Sequence, residues 1–316
     1  MYYVRSGCAW LSGVSNDMMK RELIIGSRAS TLALVQTGMV KTYIEETHPD
    51  LTVRILPMTT TGDKILNRPL QRIGGKGLFV KELDQTLADG RTDLSVHSLK
   101  DVPMMLPEKL PLIGFSVRED PRDVLVLPDG CEEIDFSKPV GCSSARRMIQ
   151  FRRLYPQAKF EPIRGNVQTR LRRLDEGRYG ATILAAAGLK RLCLEGRISR
   201  YFSMEEMIPA AGQGILAVQG RADENYEYLD GYTDRDSRLC ALAERAFVRR
   251  LGGGCTMPAA AYACADREQA GQITLRAIYQ DDTGRLHEGT LSGDADEAEQ
   301  LGTEMAERFL ADSKRK

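Results

Sequence analysis

Short apolar runs alternate with longer amphipathic stretches from Leu23 to Ala186, and this alternation constrains the fold more than any other feature. Leu23-Ile24-Ile25-Gly26 reads as a short buried strand. Ser30 can then cap a helix to about Thr47, with Leu34, Val35, Val40, Tyr43 and Ile44 as its apolar stripe. Thr52 to Met58 alternates as a strand, Phe79 to Ala88 reads as a helix ended by Gly90, and Asp93 to His97 as a further strand. This βαβ rhythm predicts a parallel, doubly wound sheet. Pro103, Pro107 and Pro111 mark a crossing segment, after which the rhythm resumes. Strands are expected at Val124 to Leu127, Val140 to Cys142, Phe160 to Ile163, Ala181 to Ala186 and Ile215 to Gln219, and helices at Ser144 to Tyr155 and Val167 to Glu176. An amphipathic helix, Asp234 to Leu251, precedes two strands (Ile273 to Tyr279, Arg285 to Leu291) joined by an Asp281-Asp282-Thr283-Gly284 turn, and a helix from Glu297 to Leu310 closes the chain.

A length of 316 residues with 42% hydrophobic content supports two or three domains, each with its own core. The expected class is α/β: two doubly wound domains followed by a smaller α+β domain. The boundaries read as residues 20–116 with 215–232, then 117–214, then 233–316. Residues 1–19 are expected to be a disordered or non-native extension, with the biological start at Met18 or Met19. Formal charge is zero, aromatic content is 6%, and no stretch of about 18 apolar residues occurs, so nothing favours nucleic acid or a membrane as partner. Seven cysteines are scattered without a CxxC pair, which argues against zinc ribbons and a disulfide framework and for a reducing cytosol. His48, His97 and His287 are isolated, with no metal-ligand spacing. A monomer is the default.

The charge is unevenly made, with 32 Arg against 12 Lys. Residues 141–178 hold nine Arg and one Lys against Glu161, Asp175 and Glu176. Several of these arginines stand where a strand ends and a helix begins: Arg146 and Arg147 after Ser143-Ser144, and Arg164 and Arg170 around Gly165-Asn166-Val167-Gln168-Thr169. Ser27-Arg28-Ala29-Ser30 repeats the arrangement in the first domain. Helix N-termini carry unpaired N–H groups and the positive dipole end, and open α/β sheets bind ligands at the carboxyl ends of their strands. Arginine adds a planar fork that grips carboxylates. Together these turns point to a polyanionic ligand held between two domains. Arg152, Arg153, Arg172 and Arg173 fit a solvated helix face instead.

Two further residues invite chemistry. Asp101, in Val96-His97-Ser98-Leu99-Lys100-Asp101-Val102-Pro103, follows a strand and is pinned by Pro103, a good place for a proton-transferring carboxylate, with Lys100 beside it; a plain turn Asp is the alternative. Cys255 follows Gly252-Gly253-Gly254, just past a helix that Gly252 should end. A thiol in that setting is an attachment point, a nucleophile or a buried structural cysteine. Gly74-Gly75-Lys76-Gly77 lacks the Walker spacing and reads as a loop able to close over a site.

Six ordered motifs resemble the porphobilinogen deaminase family, from about Leu23 to the C-terminus. They are Gly74 to Glu82 (GGKGLFVKE), Val96 to Pro103, Arg118 to Asp123 (REDPRD), Arg164 to Arg170 (RGNVQTR), Ala211 to Gly214 (AGQG) and Gly253-Gly254-Cys255. The resemblance implies two periplasmic-binding-protein-like domains plus a small α+β domain, and a dipyrromethane cofactor attached through a thioether to Cys255. It implies a transferase that joins four porphobilinogen molecules head to tail on that primer and releases hydroxymethylbilane. Asp101 would assist the departure of ammonia. Lys100, Asp101, Ser144, Arg146, Arg147, Arg164, Gly165 and Thr169 would contact the cofactor. Arg28, Ser30 and Arg170 would meet substrate carboxylates, Gln213 would line the hinge side, and Phe79 would close over the ring. The chain departs from the family pattern at Cys142 (usually Thr), Gly252 (often acidic) and Ala29 (usually polar). A non-catalytic two-domain clamp for an anionic ligand would need the arginines but neither Cys255 nor Asp101.

Overall fold

The computed structural model describes residues 21–64, 80–253, 257–266 and 269–314. The extension of residues 1–19, the Gly74 to Gly77 loop, Phe79 and Cys255 lie outside the described residues. In chain order the strands are β1 (Arg21–Arg28), β2 (Leu51–Met58), β3 (Leu94–Ser98), β4 (Leu112–Phe115), β5 (Asp123–Val126), β6 (Val140–Gly141), β7 (Phe160–Glu161), β8 (Ala181–Ala185), β9 (Arg200–Tyr201), β10 (Leu216–Gln219), β11 (Ala259–Ala265), β12 (Gln272–Gln280) and β13 (Leu286–Asp294). The principal helices are α1 (Thr31–Thr47), α2 (Lys81–Ala88), α3 (Ala145–Leu154), α4 (Val167–Asp175), α5 (Ala186–Arg191), α6 (Arg235–Arg250) and α7 (Ala298–Lys314).

Three sheets form. The first runs β2-β1-β3-β10-β4, the second β7-β6-β8-β5-β9, and the third is the meander β11-β12-β13. The expected α/β class, with a smaller α+β unit at the end, is therefore present. The sheets are mixed rather than parallel throughout, which corrects the sequence expectation. β10 is antiparallel to both β3 and β4, and β5 is antiparallel to β8 and β9. The reason is connectivity. β5 and β10 are the strands delivered directly by the two segments that cross between the sheets, so neither is constrained by a right-handed helical crossover.

Those crossing segments lie side by side. Ser116 N donates to the Leu216 carbonyl at 2.9 Å and Glu119 N to that of Gly214 at 3.2 Å. Gly214 is required there: its φ is +93°, and a Cβ would stand 2.2 Å from the Glu119 carbonyl oxygen. The third sheet is covered by α6 and α7, whose backbones approach so closely that a Cβ on Gly302 would fall 2.0 Å from the Ala243 oxygen. Phe247 and Phe309 meet edge to face in that core, at 5.6 Å between centroids. The β12–β13 turn falls as expected, with Asp281 Oδ1 accepting from the backbone of Thr283 and Arg285 and Gly284 at φ +86°. Four elements carried no clear sequence signal: β4, β9, α5 and β11. The last reads Ala-Ala-Ala-Tyr-Ala-Cys-Ala, a composition poor in strand formers, and is a strand because β12 pairs with it along its whole length. Ala186, expected to end a strand, begins α5.

Candidate functional site

Each anticipated strand-to-helix turn is built by a local cap. Ser30 Oγ accepts from Ala33 N at 3.3 Å, Ser144 Oγ from Arg147 N at 3.4 Å and Asn166 Oδ1 from Thr169 N at 2.9 Å. At the third turn Gly165 has φ +109°, and a Cβ would lie 2.6 Å from Thr169 Cγ2. With no side chain there, the Gly165 carbonyl accepts from Arg170 Nε at 2.9 Å, which fixes the guanidinium.

Asp101 sits at the end of a one-turn helix, Leu99–Asp101, that continues β3. The turn is braced. Leu99 is buried and its N–H reaches the Ile215 carbonyl at 3.0 Å, while Arg245 of α6 donates to the Val102 and Pro103 carbonyls at 3.2 and 2.6 Å. The half-buried Asp101 carboxylate favours the charged forms of Lys100, Arg147 and Arg170, so these four side chains converge electrostatically. Arg164 adds its charge at Arg170.

Cations outnumber anions in this place, and their acidities show it. Burial, then the Arg147 charge, pushes Lys100 down to about 8. Burial, then Arg147, pushes Arg170 down to about 10. Beyond its bond to the Gly165 carbonyl, the Arg170 guanidinium meets no protein acceptor among the described residues. A recessed guanidinium facing other cations has the chemistry that suits an anion.

Arg146 and Arg147 are placed differently from the expectation of open ligand forks. They are only 5% and 8% exposed, and both grip the buried Asp123 carboxylate, Arg146 through Nη1 at 2.6 Å and Arg147 through Nη2 at 2.7 Å. The charges oppose the desolvation of Asp123 and hold its carboxyl well below the usual range. Asp123 escaped the sequence reading, although an acid flush against Val124-Leu125-Val126 in an arginine-rich neighbourhood was the available signal. Gln213 lies on the returning crossing segment, accepting from Lys100 Nζ at 3.3 Å and donating to the Pro121 carbonyl at 2.6 Å. Arg28 is half-buried at the end of β1, and its charge disfavours protonation of His97. His97 itself is packed, bonded to Gln219 at 3.0 Å and held neutral by burial at about 4. The Cys142 thiol is buried, and that burial pushes its pKa up, so it is a poor nucleophile. Of the solvated-face arginines, Arg153 pairs with Glu288 and Arg172 with Glu176, both exposed. Gly252 ends α6 as expected, at φ +77°, with its N–H on Arg249 and that of Gly253 on Val248.

Residues 23–227 match the family model described as "Porphobilinogen deaminase, dipyromethane cofactor binding domain", and residues 238–311 match "Porphobilinogen deaminase, C-terminal domain". Curated relatives named porphobilinogen deaminase include one from Acetivibrio thermocellus, 50% identical over 90% of this chain and 97% of the relative. Another, from Ruminiclostridium cellulolyticum, is 48% identical over 92% and 98%. Among solved structures, the periplasmic aliphatic sulphonate binding protein SsuA from Escherichia coli aligns over 72% of this chain and 70% of its own, at 12% identity and TM-score 0.39.

Proposed function

The chain belongs to the porphobilinogen deaminase family, and on that premise we propose that Asp101 does the proton chemistry while the arginine-rich turns hold the anionic chain. The protein is a transferase that joins four porphobilinogen molecules with loss of ammonia on a dipyrromethane primer and releases hydroxymethylbilane. The observation that carries the assignment of residues is the recessed excess of cations around one carboxylate. Lys100, Arg147 and Arg170 feel the Asp101 charge, Arg164 adds its own charge at Arg170, and Asp123 is already committed to Arg146 and Arg147.

These residues fit the cofactor. Bound dipyrromethane supplies a free pyrrole carbon as nucleophile and carries acetate and propionate side chains. Ser144, Arg146, Arg147, Arg164, Gly165 and Thr169 would hold it from the starts of α3 and α4, Lys100 and Asp101 from the turn after β3, and Cys255 as its tether. Arg28, Ser30 and Arg170 would take the carboxylates of incoming substrate, with Phe79 and Gln213 at the edges. Each condensation would break one C–N bond, with ammonia leaving, and form one C–C bond, with one proton released. Asp101 accepts a pyrrole N–H, stabilises the positive charge that develops as ammonia leaves, and carries the proton. Arg170, held by the Gly165 carbonyl, keeps its outward nitrogens for carboxylate, so orientation is in place before the substrate arrives.

The division into residues 20–116 with 215–232, 117–214 and 233–316 is part of the same proposal, as are a monomeric state, a cytoplasmic location and the absence of nucleic-acid and membrane partners. Among the described residues, no helix is long and apolar enough to cross a membrane. Intact-mass measurement of purified protein tests the tether. The mass should exceed the chain by two pyrrole units, and Cys255→Ser should lack that adduct. An unmodified mass in active protein would remove Cys255 from this role.

A further inference from the structure

Asp123 stands at the first position of β5 with 0% of its surface exposed. A buried carboxylate is costly unless donors meet its lone pairs. Here they come from three residues at two places in the chain. Oδ2 accepts Arg146 Nη1 at 2.6 Å; Oδ1 accepts Arg147 Nε at 3.0 Å, Arg147 Nη2 at 2.7 Å and the Gln213 amide at 3.1 Å. Each donor is held a second time, Arg146 by the Ile208 carbonyl, Arg147 by that of Ile183 and Gln213 by that of Pro121. Gln213 then accepts from Lys100 Nζ at 3.3 Å, next to Asp101. One enclosed carboxylate is thus tied to two arginines at the start of α3 and, through a single amide on the crossing segment, to the cation beside Asp101.

We propose that Asp123 is a positioning residue for the condensation: directly it holds Arg146 and Arg147, and through Gln213 it holds Lys100, in one register across the crossing segment. The proposal rests on the reading of Asp101 as the reacting carboxylate. Asp123 is enclosed, so it acts only through these neighbours. It also offsets one of the two guanidinium charges that face Lys100. Arg147 and Arg146 disfavour the charged form of Lys100, while Asp101 and Asp123 favour it. Placement and charge of the cationic wall therefore depend on the same group.

The test uses holoenzyme carrying Gln213→Leu, with Asp123→Asn and Asp123→Glu beside it. Gln213→Leu leaves the Asp123–arginine pairs in place and removes both links of the amide. The adduct should still form, kcat should fall by about tenfold or more, and the alkaline limb of the kcat profile should move to lower pH as Lys100 loses an acceptor. Asp123→Asn turns an amide N–H₂ toward a guanidinium and should purify largely without adduct; Asp123→Glu, which restores the charge, should recover part of it. Unchanged kcat and pH profile in Gln213→Leu overturn the proposal, even should Asp123→Asn fail to fold. A raised KM alone overturns it too, because Gln213 would then touch substrate rather than link the two sides. Asp101→Asn is run in parallel. Normal turnover there removes the site reading itself, whereas an inactive Asp101→Asn beside a normal Gln213→Leu removes only the positioning role.

Discussion

Lys100 and Asp101 are neighbours in sequence, and the roles proposed for them are testable side chain by side chain. In the folded protein Lys100 loses its proton near pH 8, against an ordinary value of 10.5. Between those values the unfolded chain binds more protons than the folded one. The contribution of Lys100 to stability therefore rises with pH across that window, while its value as an anion clamp falls. Activity should accordingly decline above about pH 8 without loss of fold, and Lys100→Met should remove that alkaline limb. A limb that persists in Lys100→Met belongs to another group. Asp101→Asn should keep its Tm but lose roughly a hundredfold or more in kcat, because the isosteric amide cannot carry the proton. Both residues were legible in the sequence because they sit where a strand ends before a proline. Asp123 was not, since its meaning lies in partners 23, 24 and 90 residues away.

The turns into α1, α3 and α4 share one design, a short polar cap with an arginine close by, before the cap at α1 and within the first turn at α3 and α4. The caps at Ser30, Ser144 and Asn166 were readable because capping needs only residues within three positions of one another. Gly165 adds a steric demand that a sequence alone does not reveal. Gly165→Ala would force a left-handed backbone at φ +109° and drive Cβ into Thr169, at a cost of about 1–3 kcal/mol. The expected outcome is a lowered Tm together with weaker adduct retention, since the same turn carries Arg170. A lowered Tm with full retention would separate the turn's stability from its binding. β11 shows the opposite case. Alanine gives no period-2 signal, so the strand is set by its pairing with β12 and by α6 packed on its buried face, neither of which a local window contains.

At the scale of the whole molecule, the third sheet is bolted to the crossing segments through Glu244. This fully buried residue of α6 pairs with Arg118 at 2.7 Å and accepts from Gly212 N at 2.6 Å and Ala263 N at 2.8 Å. One side chain thereby fixes a crossing segment, the AGQG loop and β11 together. Glu244→Gln should leave Arg118 buried without its counter-charge, a loss of about 3 kcal/mol, visible as a Tm lowered by roughly 5 °C. An unchanged Tm would show that the pair adds nothing to stability. The expected parallel sheets fail at this same scale. β5 and β10 look like any buried strand, and only the path of the chain between sheets dictates that they run antiparallel. The sequence by itself determined the strand-and-helix rhythm, the capped arginine turns, the placing of Asp101 and the order of motifs that marks the family, because each depends on neighbours a few positions apart. Tertiary structure alone decided that Arg146 and Arg147 are held by Asp123, that Gln213 joins Lys100 to that carboxylate, and that Glu244 locks the crossing segments. Burial and counter-charge arise only when residues more than a hundred positions apart, such as Arg118 and Glu244, are brought within hydrogen-bond reach.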